Sequence, residues 1–171
     1  MDLFITMMRL SEDGQYLFVG SSLGHLKIYK DNGEEFLEFQ TLRESSAKVE
    51  AVALTPDSEL LAIGTFDSKI RVYSLLGGAF TLQQTISESY PISEVHISQS
   101  HLLYSGRSNQ ITFLQCVGPG FEFEQAVSTN ETMVEEVGIS EDFGILSYGF
   151  GNQTVNILTN ASGTFTREFS H

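Results

Sequence analysis

The chain of 171 residues has no tryptophan, one cysteine and three prolines. A lone thiol, Cys116, excludes an internal disulfide and any zinc site built on cysteines, and implies a reducing compartment. Basic residues are scarce: nine Lys and Arg stand against 22 Asp and Glu, a formal net charge of -13. Between Ser108 and Thr166 there is not one. Nucleic acids and anionic lipids are held by Lys and Arg, so such a surface repels both and leaves room for a protein or peptide partner of basic character. Long apolar runs are also missing. Leu60 to Ile63 is representative, far short of the ~20 residues that cross a bilayer as a helix. The first residues, Met1-Asp2-Leu3-Phe4-Ile5, lack the basic and apolar regions of a secretory signal, so the expected location is the cytosol. No eleven-residue stretch carries apolar residues at helical spacing, so no helix is expected.

What is present is a repeat. Segments beginning at Ile5, Val49, Ile92 and Val134 superpose and close on Gly20, Gly64, Gly106 and Gly149. A short polar turn follows each glycine, then an alternating run at Leu26–Tyr29, Ile70–Tyr73, Ile111–Leu114 and Val155–Leu158. After a second, glycine-bearing turn, a phenylalanine (36, 80, 121 or 165) opens a fourth run. Alternation with period two is the mark of a half-buried antiparallel strand. On this reading the first strands turn Met8/Leu10, Val52/Leu54, Val95/Ile97 and Val137/Ile139 inward. Asp13-Gly14, Pro56-Asp57 and Asp142 ahead of Gly144 supply the turns after them. Four-stranded units of about 43 residues, each sealed by its neighbours, define an all-β propeller of four antiparallel blades at about 3–43, 47–87, 91–128 and 132–170.

Val49 to Ser74, with Thr55-Pro56-Asp57, Leu60-Leu61-Ala62, Gly64 and Asp67-Ser68-Lys69-Ile70-Arg71-Val72-Tyr73, resembles the body of a WD40 repeat. The resemblance extends more weakly over the other three units. The Trp-Asp pair that names the family is replaced by Tyr29-Lys30, Tyr73-Ser74, Leu114-Gln115 and Leu158-Thr159. The acidic turn residue survives only as Asp67, so the family's His–Ser/Thr–Asp–Trp network is expected in no blade. Apolar packing, with Phe36, Phe80, Phe121 and Phe165, has to carry more of the stability.

Four blades leave two end faces. At ~300 Å² of apolar area each and ~25 cal/mol per Å², leaving both in water costs on the order of 15 kcal/mol, the size of a domain's stability. The chain is therefore expected to belong to a longer protein, to pair with a second copy in an eight-bladed ring, or to close on itself or with another chain.

No catalytic motif is present: no Gly-x-Ser-x-Gly, phosphate loop, dinucleotide fingerprint or His-Glu-x-x-His. Gly118-Pro119-Gly120 lacks a following Lys and reads as a hairpin turn. Glu131, Glu135, Glu141 and Asp142 lack the spacing of a calcium loop, and Glu135-Glu136 point to opposite faces of a strand. Neither a cofactor nor a metal is expected. Asn130, Asn152 and Asn160 sit in glycosylation triplets that read as turns. The loop face made by the fourth-to-first connections and the second-to-third turns collects Arg43, Lys48, Phe66, Lys69, Tyr90, Arg107, Met133 and Phe150. Of these Arg43, Phe66, Tyr90, Arg107 and Phe150 are the candidate protein-binding residues, because Tyr, Phe and Arg anchor interfaces at low entropic cost. The expected function is a non-catalytic protein-interaction scaffold. The alternatives are a structural subunit of a large assembly, such as a cytoskeletal or ciliary one, and a propeller enzyme or ligand-binding domain completed by further blades. The structural alternative uses the outer strands, where Glu38, Gln40, Gln83 and Gln125 are expected to face outward. The enzyme alternative needs His, Asp or Glu converging on the axis, whereas the inward first-strand residues read as Met, Val, Ile and Leu.

Overall fold

The computed structural model describes residues 4–43, 46–129, 134–140, 142–150, 154–161 and 164–170. The short alternating runs fold as sixteen strands and, among the described residues, no helix. The strands are β1 (Ile5–Leu10), β2 (Tyr16–Ser21), β3 (Leu26–Asp31) and β4 (Phe36–Leu42); β5 (Val49–Leu54), β6 (Leu60–Thr65), β7 (Lys69–Leu76) and β8 (Ala79–Ser87); β9 (Ile92–Ile97), β10 (His101–Gly106), β11 (Gln110–Val117) and β12 (Gly120–Ser128); β13 (Glu136–Ile139), β14 (Ile145–Gly149), β15 (Val155–Ala161) and β16 (Thr164–Ser170). Each group of four is one antiparallel sheet in chain order, consistent with a propeller blade.

One turn chemistry recurs in blades one, two and four. Asp13 Oδ1 accepts from Ser11 Oγ at 2.6 Å and from the Gln15 amide at 2.9 Å, while Ser11 Oγ accepts from the Tyr16 amide. Thr55 with Asp57, and Ser140 with Asp142, repeat the arrangement. These hydroxyls and amides stabilise the ionised carboxylates of Asp13 and Asp142 and hold their pKa values down. The turn also requires one left-handed residue. Gly14 fills it in blade one, but Ser58 and Phe143 fill it in blades two and four (φ 63° and 56°), so the left-handed residue of the fourth turn precedes the expected Gly144.

The apolar cores lie between sheets. One cluster joins Tyr16, Phe18, Leu26 and Ile28 of blade one to Val52, Leu61, Tyr73 and Phe80 of blade two. Equivalent clusters join blades two and three, and three and four. Each blade thus has a leading face toward the preceding blade and a trailing face toward the next. The repeated glycine has a packing cause here: a Cβ on Gly64 would stand 2.6 Å from Ile92 Cγ2, and one on Gly20 2.9 Å from Val49 Cγ1, where the next first strand enters. Strand register places Ser105 opposite Glu94 as Gly64 is opposite Ala51, one residue before the expected Gly106.

The third-to-fourth strand ladder shifts register at the same place in all four blades: Ile28/Tyr29, Val72/Tyr73, Phe113/Leu114 and Ile157/Leu158. A bulge inserts one residue and reverses the alternation beyond it. Phe36, Phe80 and Phe121 therefore belong to leading faces, whereas glutamines four residues later belong to trailing faces. The Gln40 amide donates to Phe80 O at 2.9 Å, and its oxygen accepts from Phe80 N at 2.8 Å. Gln84 makes the same pair with Phe121, at 2.8 and 2.7 Å. This corrects the outward placement of Gln40 and Gln125: unbroken alternation turned them outward, but the bulge puts both on the side toward the next blade.

The other correction concerns blade one. Met8 and Leu10, expected inward, are 64% and 53% exposed, whereas the equivalent Val52 is 1% exposed. Phe36 is exposed and Phe80 buried. Val52 and Phe80 are covered by blade one, and among the described residues no blade covers the leading face of blade one itself.

Candidate functional site

The second-to-third turns and the connections between blades meet on one face because the backbone ties them together. The Phe66 amide donates to Lys48 O at 2.9 Å, and the Arg107 amide to Pro91 O at 3.0 Å. Each bond pins a turn to the entry of its own blade's first strand, and Phe66 of blade two and Arg107 of blade three lie side by side, with the guanidinium carbon 5.1 Å from the ring centroid. Both side chains are exposed. Tyr90 is half-buried; its ring lies against Gly106, next to Arg107, and packs on the core between blades two and three. Of the five residues singled out from the sequence, the structure therefore groups Phe66, Tyr90 and Arg107. Phe150 packs edge-on to Tyr148 at 5.5 Å, and Arg43 is exposed at the end of β4. Among the described residues, no hydrogen bond or ring contact ties either to the Phe66–Arg107 pair. Lys48 is paired with Glu50 at 2.8 Å. Met133, with Glu131, Glu141, Asn130 and Asn152, lies outside the described residues.

Beneath this face Thr65, Asp67 and Arg71 form a buried network. Arg71 Nη1 donates to Thr65 Oγ1 at 2.8 Å and Nη2 pairs with Asp67 Oδ2 at 3.0 Å, while Thr65 Oγ1 donates to Asp67. The side chain of Arg71 is almost wholly enclosed. The network expected to be missing from every blade thus has a substitute in blade two, with a guanidinium doing the donating. It braces the turn that carries Phe66.

A second polar cluster lies at the inner strands, and sequence reading passed over it. Arg9 on β1, Glu94 and His96 on β9 and Glu136 on β13 are close enough for their charges to interact. Burial, reinforced by Glu136 and opposed by Arg9, pushes the Glu94 carboxyl up to about 7. Burial and Arg9 together hold His96 below the ordinary imidazole value. Arg9 Nη1 donates to Val52 O at 3.0 Å, and His96 Nε2 to Val137 O at 3.1 Å, so each bridges to the first strand of the next blade. Beside them a cavity of about 140 Å³ is lined by Arg9, Glu12, Leu54, Pro56, His96 and Phe143 among others, with residues from all four blades. This corrects the expectation of a purely apolar set of first strands. The signal was available in the repeat: the third positions read Met7, Ala51, Glu94, Glu136 and the fifth Arg9, Ala53, His96, Gly138. As inter-blade staples, two of these side chains are already engaged with backbone.

The class defined by four such sheets is an array of antiparallel four-stranded, propeller-type blades. Residues 38–74 match the family model described as WD40: WD domain, G-beta repeat. The matched stretch runs from the outer strand of blade one to the third strand of blade two, so it spans a blade boundary and includes Gln40, the Thr55–Asp57 turn and the Asp67–Arg71 pair. The other three sheets are consistent with WD40-like blades. That family consists in general of non-catalytic modules for protein–protein contact. No curated protein matches the chain.

Proposed function

We propose that this chain is a non-catalytic protein-interaction scaffold whose contact surface is the loop face at the junction of blades two and three. The observation that carries the reading is the Phe66–Arg107 stack: an exposed aromatic ring and a guanidinium from different blades, each on a turn pinned by a backbone bond to its own blade. A preformed aromatic–cation pair offers a partner large contact area with little side-chain ordering left to perform. Phe66 supplies apolar surface, and the strongly acidic remainder of the chain favours a partner segment that is basic and apolar by turns. Phosphate polymers and anionic lipid fit such a surface poorly. The single cysteine and the acidic composition support work in the cytosol or in an assembly reached from it.

The test is a Phe66→Ala, Arg107→Ala double variant. Both side chains are exposed, so melting is expected to stay within ~2 °C of the parent, while partners recovered with the intact chain from its native extract are lost. Tyr90 is left in place because its ring supports Gly106. Unchanged partner recovery at unchanged melting refutes the site.

A further inference from the structure

The cavity at the inner strands holds opposite charges that do not meet. Arg9 and Glu12, at the end of β1 and in the turn after it, both line its space of about 140 Å³. Both are exposed, which puts them at its mouth, and among the described residues no ion pair joins them. Arg9 uses Nη1 on Val52 O, and its other guanidinium N–H groups stay open. His96 uses Nε2 on Val137 O, so Nδ1 is a bare acceptor, and its lowered pKa keeps the ring neutral. Among the described residues the Glu12 carboxylate accepts no hydrogen bond. Glu94 and Glu136 share this neighbourhood but do not line the cavity. The apolar wall comes from Leu54 and Pro56 of blade two and Ile139 and Phe143 of blade four. Phe143 is fixed there: it is buried, left-handed at φ 56°, and its ring centroid lies 5.2 Å from that of His101.

Size and charge together select a ligand. An enclosed space of ~150 Å³ takes a six-carbon ring and drug-sized molecules need ~300 Å³ or more, so this open-mouthed one suits about six to eight heavy atoms. A guanidinium and a carboxylate held apart suit a ligand with one charge of each sign. A phosphate or dicarboxylate would set like charge against Glu12, and a simple amine would set it against Arg9. Either end of a peptide offers only one of the two charges. We propose that this cavity binds a free aliphatic α-amino acid of about valine's size, its carboxylate on Arg9, its ammonium on Glu12 and Nδ1 of His96, and its side chain against Leu54, Pro56, Ile139 and Phe143. The first-to-second turns that frame the site lie at the opposite end of the strands from Phe66 and Arg107. The site is therefore independent of the loop-face reading above.

The test is calorimetric titration of the full chain with L-valine, isovalerate and isobutylamine. The last two are valine without its ammonium and without its carboxylate. L-Valine is expected to saturate one site per chain, and each half-ligand to bind at least tenfold more weakly, because a charge-assisted hydrogen bond is lost. Arg9 also staples Val52, so Glu12 carries the mutational test. Glu12→Gln is expected to weaken L-valine at least tenfold, to leave isovalerate unchanged, and to leave the melting temperature where it was. Absence of L-valine binding by the folded chain overturns the proposal. So does either half-ligand binding as tightly as L-valine, or L-valine binding that Glu12→Gln does not weaken.

Discussion

Blades one and two have the same four strands, the same Ser/Thr–Asp turn, the same bulge and the same glutamine, and they differ in what lies in front of them. Blade two is enclosed between two neighbours, and its leading positions are buried. Blade one likewise buries its trailing side, through Tyr16, Phe18, Leu26 and Ile28, and has an uncovered apolar surface on the other. Side-chain character is nearly the same at Phe36 and Phe80, so the difference lies in the assembly. Burial in this fold is a property of the junction between sheets, and each blade holds only half of two junctions.

The largest expected effect contrasts those two phenylalanines. Phe80→Ala removes a ring packed edge-on to Tyr16 and Phe39 and is expected to cost about 3 kcal/mol in urea unfolding. Phe36→Ala at the equivalent place is expected to cost less than ~1 kcal/mol, since water already reaches the ring. Similar losses at both would break the comparison. A smaller effect is expected at the clasp. Gln84→Ala deletes two backbone hydrogen bonds and should cost about 1–2 kcal/mol, while Gln83→Ala, at the exposed bulge, stays within ~0.5 kcal/mol.

The smallest effect depends on pH. Glu94 titrates near 7 in the fold against an ordinary value of 4.5. Its raised value means the folded chain binds a proton that the unfolded chain releases between those limits, so stability rises as pH falls from 8 toward 5. Partial exposure limits the gain to roughly 1 kcal/mol. His96 acts in the opposite sense: held below 6.5, it resists the proton that the unfolded chain accepts, and stability is lost as pH falls through that value. Urea midpoints of the parent should therefore rise as pH falls from 8 to 6.5, where Glu94 acts alone, and Glu94→Gln should abolish that rise and leave only the loss below 6.5 that His96 causes.

The sheets, their order and their turns were legible because period-two alternation and the spacing of Gly20, Gly64 and Gly149 are local signals. The placement of Gln40 was not, because a one-residue bulge reverses the faces and nothing in Phe36-Leu37-Glu38-Phe39-Gln40 marks it. The exposure of Met8 was missed for a different reason: its sequence is that of a buried position, and only the absence of a covering sheet among the described residues exposes it. At the loop face, the sequence supplied Phe66, Tyr90 and Arg107 as residue types beside turns. Their convergence depends on how blades two and three pack against each other, which no local pattern announces. The axial charges were legible in principle, by reading the repeat down its columns as well as along its rows.

Amide hydrogen exchange on the intact chain tests most directly whether coverage by a neighbour, rather than the sequence of a blade, sets its stability. Exchange in β1 is predicted to be at least tenfold faster than in β5 and β9, although all three are first strands of equivalent sheets. Equal protection of β1 and β5 would contradict the account.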